Sequence, residues 1–305
     1  MSEEIVKSRS SLLAGYAAIV IVCTLIVIKA YAYHQSGAVS ILSSLTDSVL
    51  DGLVSLMALA SIYYARRPAD EDHRHGHGKM EAVSALFQAA IIAGGGVFLV
   101  FETLVHVSKP VVITNHMIGA SVMVASVVLS IILVLIQRHS LKFSESLAVE
   151  ADSAHYSSDI LVNMGALLVL ILCFYGAPVW IDTLFAVGVA GFMACVARSI
   201  AMKSLNMLLD RELPEEDRTK IIGIIEAHKG VAGWHDLRTH RNGNNYVMSF
   251  DIEADPEITL YAAHEIAKDL EEEIVQAYAD AEVLIHIDPT GYTEDSRHRV
   301  KGVHI

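Results

Sequence analysis

Six stretches of this chain stay apolar for nearly the length a helix needs to cross a lipid bilayer, and they decide most of what it can fold into. They cover about Leu12–Tyr33, Ala38–Tyr64, Ala82–Val107, Asn115–Ile136, Ser146–Phe174 and Trp180–Lys203. A span takes roughly 20 mostly apolar residues, and only a helix or a closed barrel satisfies its own backbone in lipid. A soluble domain rarely combines 305 residues, 53% of them apolar, with a mean hydropathy of +0.45. From Asp210 onward charged residues become frequent and no apolar run is long enough to span. The expected organisation is a six-helix transmembrane domain over 1–209, a soluble domain over 210–290 and a tail over 291–305. Ser2–Lys7 is short and acidic, and no small-residue cleavage site follows the first apolar run, so that run is expected to remain as a membrane helix.

The loops set the orientation. Arg66, Arg67, Arg74 and Lys79 follow the second run, Arg138 and Lys142 the fourth, and Arg198 and Lys203 close the sixth, whereas the opposite loops carry only Lys109. Lys and Arg accumulate on the cytoplasmic side, so both termini and the soluble domain are expected there, in a multi-pass protein of the cell (inner) membrane.

The net charge of −13 comes mostly from the soluble domain, with acidic runs at Pro214–Asp217 and Glu271–Glu273. Such a surface excludes nucleic acid as a partner. It suits attraction of cations, and an ordinary solvated acidic face explains it equally well. Cys23, Cys173 and Cys195 all fall in the apolar runs without CxxC spacing, so they read as packing residues.

Polar residues inside the spans carry the functional signal. The second run holds Asp47 and Asp51, the fifth His155 and Asp159, each pair one helical turn apart and on one face. A charge at mid-membrane costs roughly 2.5–3.5 kcal/mol on insertion scales, and such residues usually face the bundle interior along a pathway. Asp47 and His155 each lie nine residues inside the expected boundaries at Ala38 and Ser146. At 1.5 Å per residue both reach about 14 Å, the middle of a core of about 30 Å. The two pairs together offer three carboxylates and one imidazole, a set that suits tetrahedral zinc. Without thiolates such a site can bind a divalent ion and still release it, and protons compete for the same groups. Interhelical hydrogen bonding that merely holds the bundle together is the competing reading.

Between the second and third runs, "PADEDHRHGHGKME" places Asp70, His73 and His77 where one turn could gather them on a metal, with Asp72 and His75 interleaved. A solvated polar loop is the alternative. The soluble domain reads helix–strand–strand–helix–strand, with a hairpin signal at Asn242-Gly243-Asn244, which predicts a ferredoxin-like α+β sandwich, αββαβ. Its metal-type residues are His235, Asp251, His264, His286 and Asp288; the last two share one face of the final strand. Any one of these histidines can equally be an ordinary surface residue.

The pairs "TDSVLD" and "HYSSD", the "DEDHRHGHGK" loop and the tail "LLDRE…HDLRTHR…AHEIA…VLIHIDP" resemble the cation diffusion facilitators, in particular their bacterial zinc and iron efflux branch. The resemblance covers nearly the whole chain. It implies a homodimer that exchanges cytoplasmic divalent metal for external protons by alternating access. It implies a transport site at Asp47, Asp51, His155 and Asp159, a loop site at Asp70, His73 and His77, and a two-metal cytoplasmic site at His235, His264, His286 and Asp288. It also implies a charge pair, Lys79 and Asp210, that ties the dimer together; two ordinary interfacial charges are the alternative. One departure stands out: close relatives carry a histidine on the bridging strand, in a stretch like "FIQLHLE", where this chain has Asp251 in "YVMSFDIE". Histidine at 155 favours Zn2+ or Cd2+ over manganese, with Fe2+ open.

The expected function is therefore proton-coupled export of a divalent cation, Zn2+ first, with Fe2+ or Cd2+ export as the alternative. A membrane metal sensor is the rival of another class. An intramembrane metalloenzyme ranks last, because no HExxH-type motif is present. His34, His106, His116 and His139 sit at expected helix ends, and His228, His240, His298 and His304 lack a partner at useful spacing. Gly94–Gly96 reads as close helix packing, and Glu102 stays unassigned.

Overall fold

The computed structural model describes residues 2–37, 39–106, 116–175, 178, 180–279 and 281–291. The expected span ends at Ala38, Val107 and Asn115, Lys109, and the tail beyond 291 with His298 and His304 lie outside the described residues, as do the side chains of His106, His116 and Cys173. The chain divides into two units, 1–205 and 206–305.

The first unit holds six long helices, α1 (Ser2–Ser36), α2 (Val39–Ala65), α3 (Met80–His106), α4 (His116–Ser140), α5 (Leu147–Phe174) and α6 (Trp180–Leu208). Five of them are long and apolar enough to cross a membrane. The other, α5, is as long but carries Glu150, Asp152, His155 and Asp159. It packs against α2, α3 and α4, which bury Asp152 and His155. Large apolar side chains such as Leu53, Phe98, Leu135, Leu168 and Phe192 point outward, as lipid requires.

Small residues set the close approaches. A β-carbon at Gly96 would meet Met193 Cβ at 3.4 Å, and one at Gly165 would run into the Phe185 ring, so glycine lets α6 lie against both α3 and α5. The triple glycine is thus a packing seam at Gly95 and Gly96, with open space at Gly94.

The second unit is α7 (Glu215–Ala227), β1 (Gly233–Asn242), β2 (Asn245–Ala254), α8 (Leu260–Ala277) and β3 (Glu282–Pro289), the expected αββαβ order. Strands lie in the order β1-β2-β3, with β1 antiparallel to β2 and β2 parallel to β3 through the α8 crossover. Gly243, at a φ of 64°, takes the left-handed position that the two-residue hairpin turn needs. Thr259 caps α8 by accepting from Ala262 N at 3.2 Å. Along β2, Met248, Phe250, Ile252 and Ala254 are buried, the first three packing with Ile221 and Ile225 of α7 and Leu270 and Ile274 of α8. Strand alternation therefore sends Asp251 to the face opposite the helices.

Candidate functional site

The α2–α5 contact builds the central cluster. His155 Nε2 lies 3.2 Å from Asp51 Oδ1 and 3.6 Å from Asp159 Oδ2. His155 and Asp159 share a face because they are four apart on α5, and Asp51 reaches them from α2. The donor atoms of these three residues fall within 4.8 Å of one another. Asp159 Oδ2 is buried and receives no hydrogen bond from any described residue. A buried acceptor left without a donor costs about 1–3 kcal/mol or more when charged, which a cation placed among these donors would offset. Imidazole with carboxylates is a donor set for zinc-like divalent ions.

Asp47 does not join these three. It stands exposed one turn away on α2, so the level that meets His155 is that of Asp51. Counting from the expected membrane boundaries put Asp47 and His155 at equal depth. The helices instead pair one turn later, about 6 Å along α2.

Behind His155 lies a buried network that sequence reading missed. Asp152 is 2% exposed; it accepts from Ser55 Oγ at 3.0 Å and from Gln137 Nε2 at 2.6 Å, and Ser55 Oγ also lies 3.0 Å from the Tyr156 hydroxyl. This links α2, α4 and α5 beside the cluster. The signal was present, since Asp152 is three residues before His155 and so lies on the same helical face.

The α2–α3 loop brings Asp70, His73 and His77 together as expected, with His73 Nδ1 3.4 Å and His77 Nε2 3.3 Å from the Asp70 carboxylate. Asp70 Oδ1 accepts from His73 N at 2.7 Å and Asp72 N at 3.0 Å. Those backbone donors, His73 first, hold its carboxyl below the usual carboxylate range. His77 Nδ1 lies 3.3 Å from Arg67 O; donating there leaves Nε2 for a metal, the usual arrangement of a ligating histidine. The His77 ring is buried against Tyr64 at 4.7 Å, so it is fixed in place. Asp72 and His75 are not part of this cluster.

In the second unit the register aligns His235 with Asp251, and Asp251 with His286, across the three strands. His235 Nδ1 is 3.5 Å from Asp251, its Nε2 is 3.5 Å from Asp288 Oδ2, and His286 Nε2 is 3.3 Å from Asp288 Oδ1. Asp288 Oδ2, like Asp159 Oδ2, is buried without a hydrogen-bond donor among the described residues. His235, Asp251 and Asp288 form the tight group. His264 stands exposed on α8, outside it, because α8 covers the other face of the sheet.

Lys79 and Asp210 fall in different units. Asp210 Oδ1 lies 3.5 Å from His240 Nε2, so His240 has a partner that spacing along the chain did not reveal.

A His–carboxylate cluster set among the helices of a membrane unit, joined to a small αββαβ domain, is what a membrane carrier for divalent metal needs. The family model described as the cation efflux transmembrane domain matches residues 16–209, and that described as the cation efflux protein cytoplasmic domain, a dimerising domain, matches residues 213–290. The chain belongs to this cation efflux family, the cation diffusion facilitators, and is a multi-pass metal efflux transporter of the inner membrane. It is 42% identical over 277 residues to the cation-efflux pump FieF of Shewanella oneidensis, covering 91% of this chain and 93% of that one. To the FieF pump of Shigella flexneri it is 37% identical over 278 residues, covering 90% and 92%. A solved metal-bound C-terminal domain of the CzcD transporter from Thermotoga maritima is 28% identical, covers 27% of this chain and 100% of that one, and has a TM-score of 0.25.

Proposed function

We propose that this transporter exports zinc from the cytoplasm in exchange for external protons, by alternating access, as a homodimer. Asp51, His155 and Asp159 hold the ion, and Asp47 supplies the fourth ligand as α2 and α5 shift against each other. Protons taken up by His155 and a carboxylate then expel it, because ligands must be deprotonated to bind metal. The observation that carries this reading is His155 Nε2 set 3.2 Å from Asp51 Oδ1 and 3.6 Å from Asp159 Oδ2, the latter a buried oxygen that accepts no hydrogen bond from a described residue. One imidazole among carboxylates favours zinc; Fe2+ and Cd2+ are the alternative cargoes on the same donors.

The other clusters are proposed as resident metal sites. Asp70, His73 and His77 would hold one ion on the loop. His235, Asp251, Asp288 and His286 would form the cytoplasmic site, where bound metal tightens the dimer.

The test is zinc flux into proteoliposomes loaded with a zinc dye under an imposed pH gradient, with His155→Ala as control. Uptake that follows the gradient and vanishes in the variant supports the reading. Zinc binding without flux under any gradient would replace it with a membrane sensor.

A further inference from the structure

Lys29 of α1 is a buried cation inside the membrane unit that none of the metal clusters uses. It is 6% exposed, and its ammonium donates to Ser48 Oγ at 2.6 Å and Ser44 O at 3.1 Å, both on α2. Ser48 is itself 1% exposed and lies between Asp47 and Asp51 in sequence. Gly52 allows this approach, since a β-carbon there would meet Val22 of α1 at 3.0 Å. No carboxylate lies within 4 Å of the ammonium among the described residues, yet the charges that act on it are those of Asp51, Asp47 and Asp159. Burying an unpaired ammonium in a membrane helix is costly, and two neutral oxygens recover only part of that cost. Stability alone gives no reason to keep a lysine there.

We infer that Lys29 is a resident countercation of the transport site, tethered by Ser44 and Ser48 so that it offsets one carboxylate without occupying the ligand positions. Three ligating carboxylates and one ammonium leave two negative charges, which a single divalent cation neutralises. With Lys29 the four loaded ligands and their countercation carry no net charge between them, while Asp152 behind His155 is held by Ser55 and Gln137. Without it the loaded site keeps one negative charge, so metal binds more tightly and is carried and released more slowly. Lys29 is a positioning and charge-setting residue that never touches the metal.

This inference rests on the proposed transport site, and its test separates the two. Zinc affinity and zinc flux are measured on the full-length protein, reconstituted in lipid, for wild type, Lys29→Met, Lys29→Arg and Ser48→Ala. Lys29→Met is expected to bind zinc about tenfold tighter, the scale of one unit charge acting across a partly screened site, while maximal flux falls by about the same factor. Lys29→Arg restores both, because the charge returns. Ser48→Ala keeps the charge but loosens its tether, so it shifts affinity the same way by less, and it serves if Lys29→Met fails to fold. Unchanged affinity in both Lys29→Met and Ser48→Ala overturns the inference, as does a Lys29→Arg protein that behaves like Lys29→Met. Absence of flux in the wild type removes the transport reading instead, and the affinity measurements still judge Lys29.

Discussion

Asp51→Asn is the sharpest perturbation of the central cluster, because it removes one charge and leaves volume and shape intact. Asp51 is the carboxylate that α2 brings within 3.2 Å of His155. At an effective dielectric of about 20, unit charges about 4 Å apart interact by about 4 kcal/mol, so a divalent ion loses about 8 kcal/mol of attraction. The variant also avoids desolvating a buried carboxylate, which returns several kcal/mol. The net loss is about 3–4 kcal/mol, roughly 100- to 1,000-fold in zinc affinity. The assay is calorimetric zinc titration of the reconstituted protein in an Asp70→Ala, Asp288→Ala background, so that the membrane site alone titrates, followed by dye-reported flux. Affinity within about threefold of the background protein would refute the placement of Asp51 among the ligands, since no screening of a half-buried group removes so large a term.

Gly165→Ala puts a methyl group where the Phe185 ring lies, so the ring must move from its place between α5 and α6; a loss of about 1–3 kcal/mol is expected as a lower unfolding temperature, partly recovered by adding Phe185→Ala. Asp251→His restores an imidazole beside His235 and should strengthen zinc stabilisation of the cytoplasmic domain, read as a larger zinc-dependent thermal shift than in the parent protein. Burial, and then the charge of Asp217, push the Tyr278 hydroxyl up to about 12, and that hydroxyl donates to Asp217 at 3.2 Å. Its folded value lies above the ordinary value of about 10, so its contribution is complete below about pH 10 and is lost as pH rises towards 12. Hydrogen exchange in α7 and α8 should accelerate over that window, and Tyr278→Phe should flatten the dependence while slightly raising exchange at neutral pH.

The spans were legible because length and apolarity alone select a membrane helix. The αββαβ order was legible because Gly243 marks a turn and Met248, Phe250, Ile252 and Ala254 alternate with polar residues. Spacing of four also showed that Asp47 with Asp51, and His155 with Asp159, share helix faces. It could not show which level of α2 meets α5, since that depends on how two helices joined through α3 and α4 slide together, and the structure selects Asp51. Lys29 against Ser48, Asp152 against Gln137 and His240 against Asp210 were hidden for the same reason. Each joins positions whose proximity is tertiary. Sequence periodicity fixes faces, and packing fixes partners.

The three clusters use the same donors, and what separates them is how their ligands are mounted. Asp70, His73 and His77 sit within one short loop, with Asp70 tied by two backbone donors and His77 by Arg67 and Tyr64. His235, Asp251 and Asp288 sit on three strands locked by ladder hydrogen bonds. In neither case can the ligands move apart without breaking the element that carries them, which suits a resident ion. Asp51 and the pair His155 and Asp159 are mounted on two separate helices whose contact is side chain against side chain. Packed helices slide by an ångström or two at modest cost, and a shift of that size opens a coordination sphere of about 2 Å bonds. Among the clusters of the described residues, the α2–α5 one can thus open while every backbone hydrogen bond stays intact, which favours its proposed role as the cargo site.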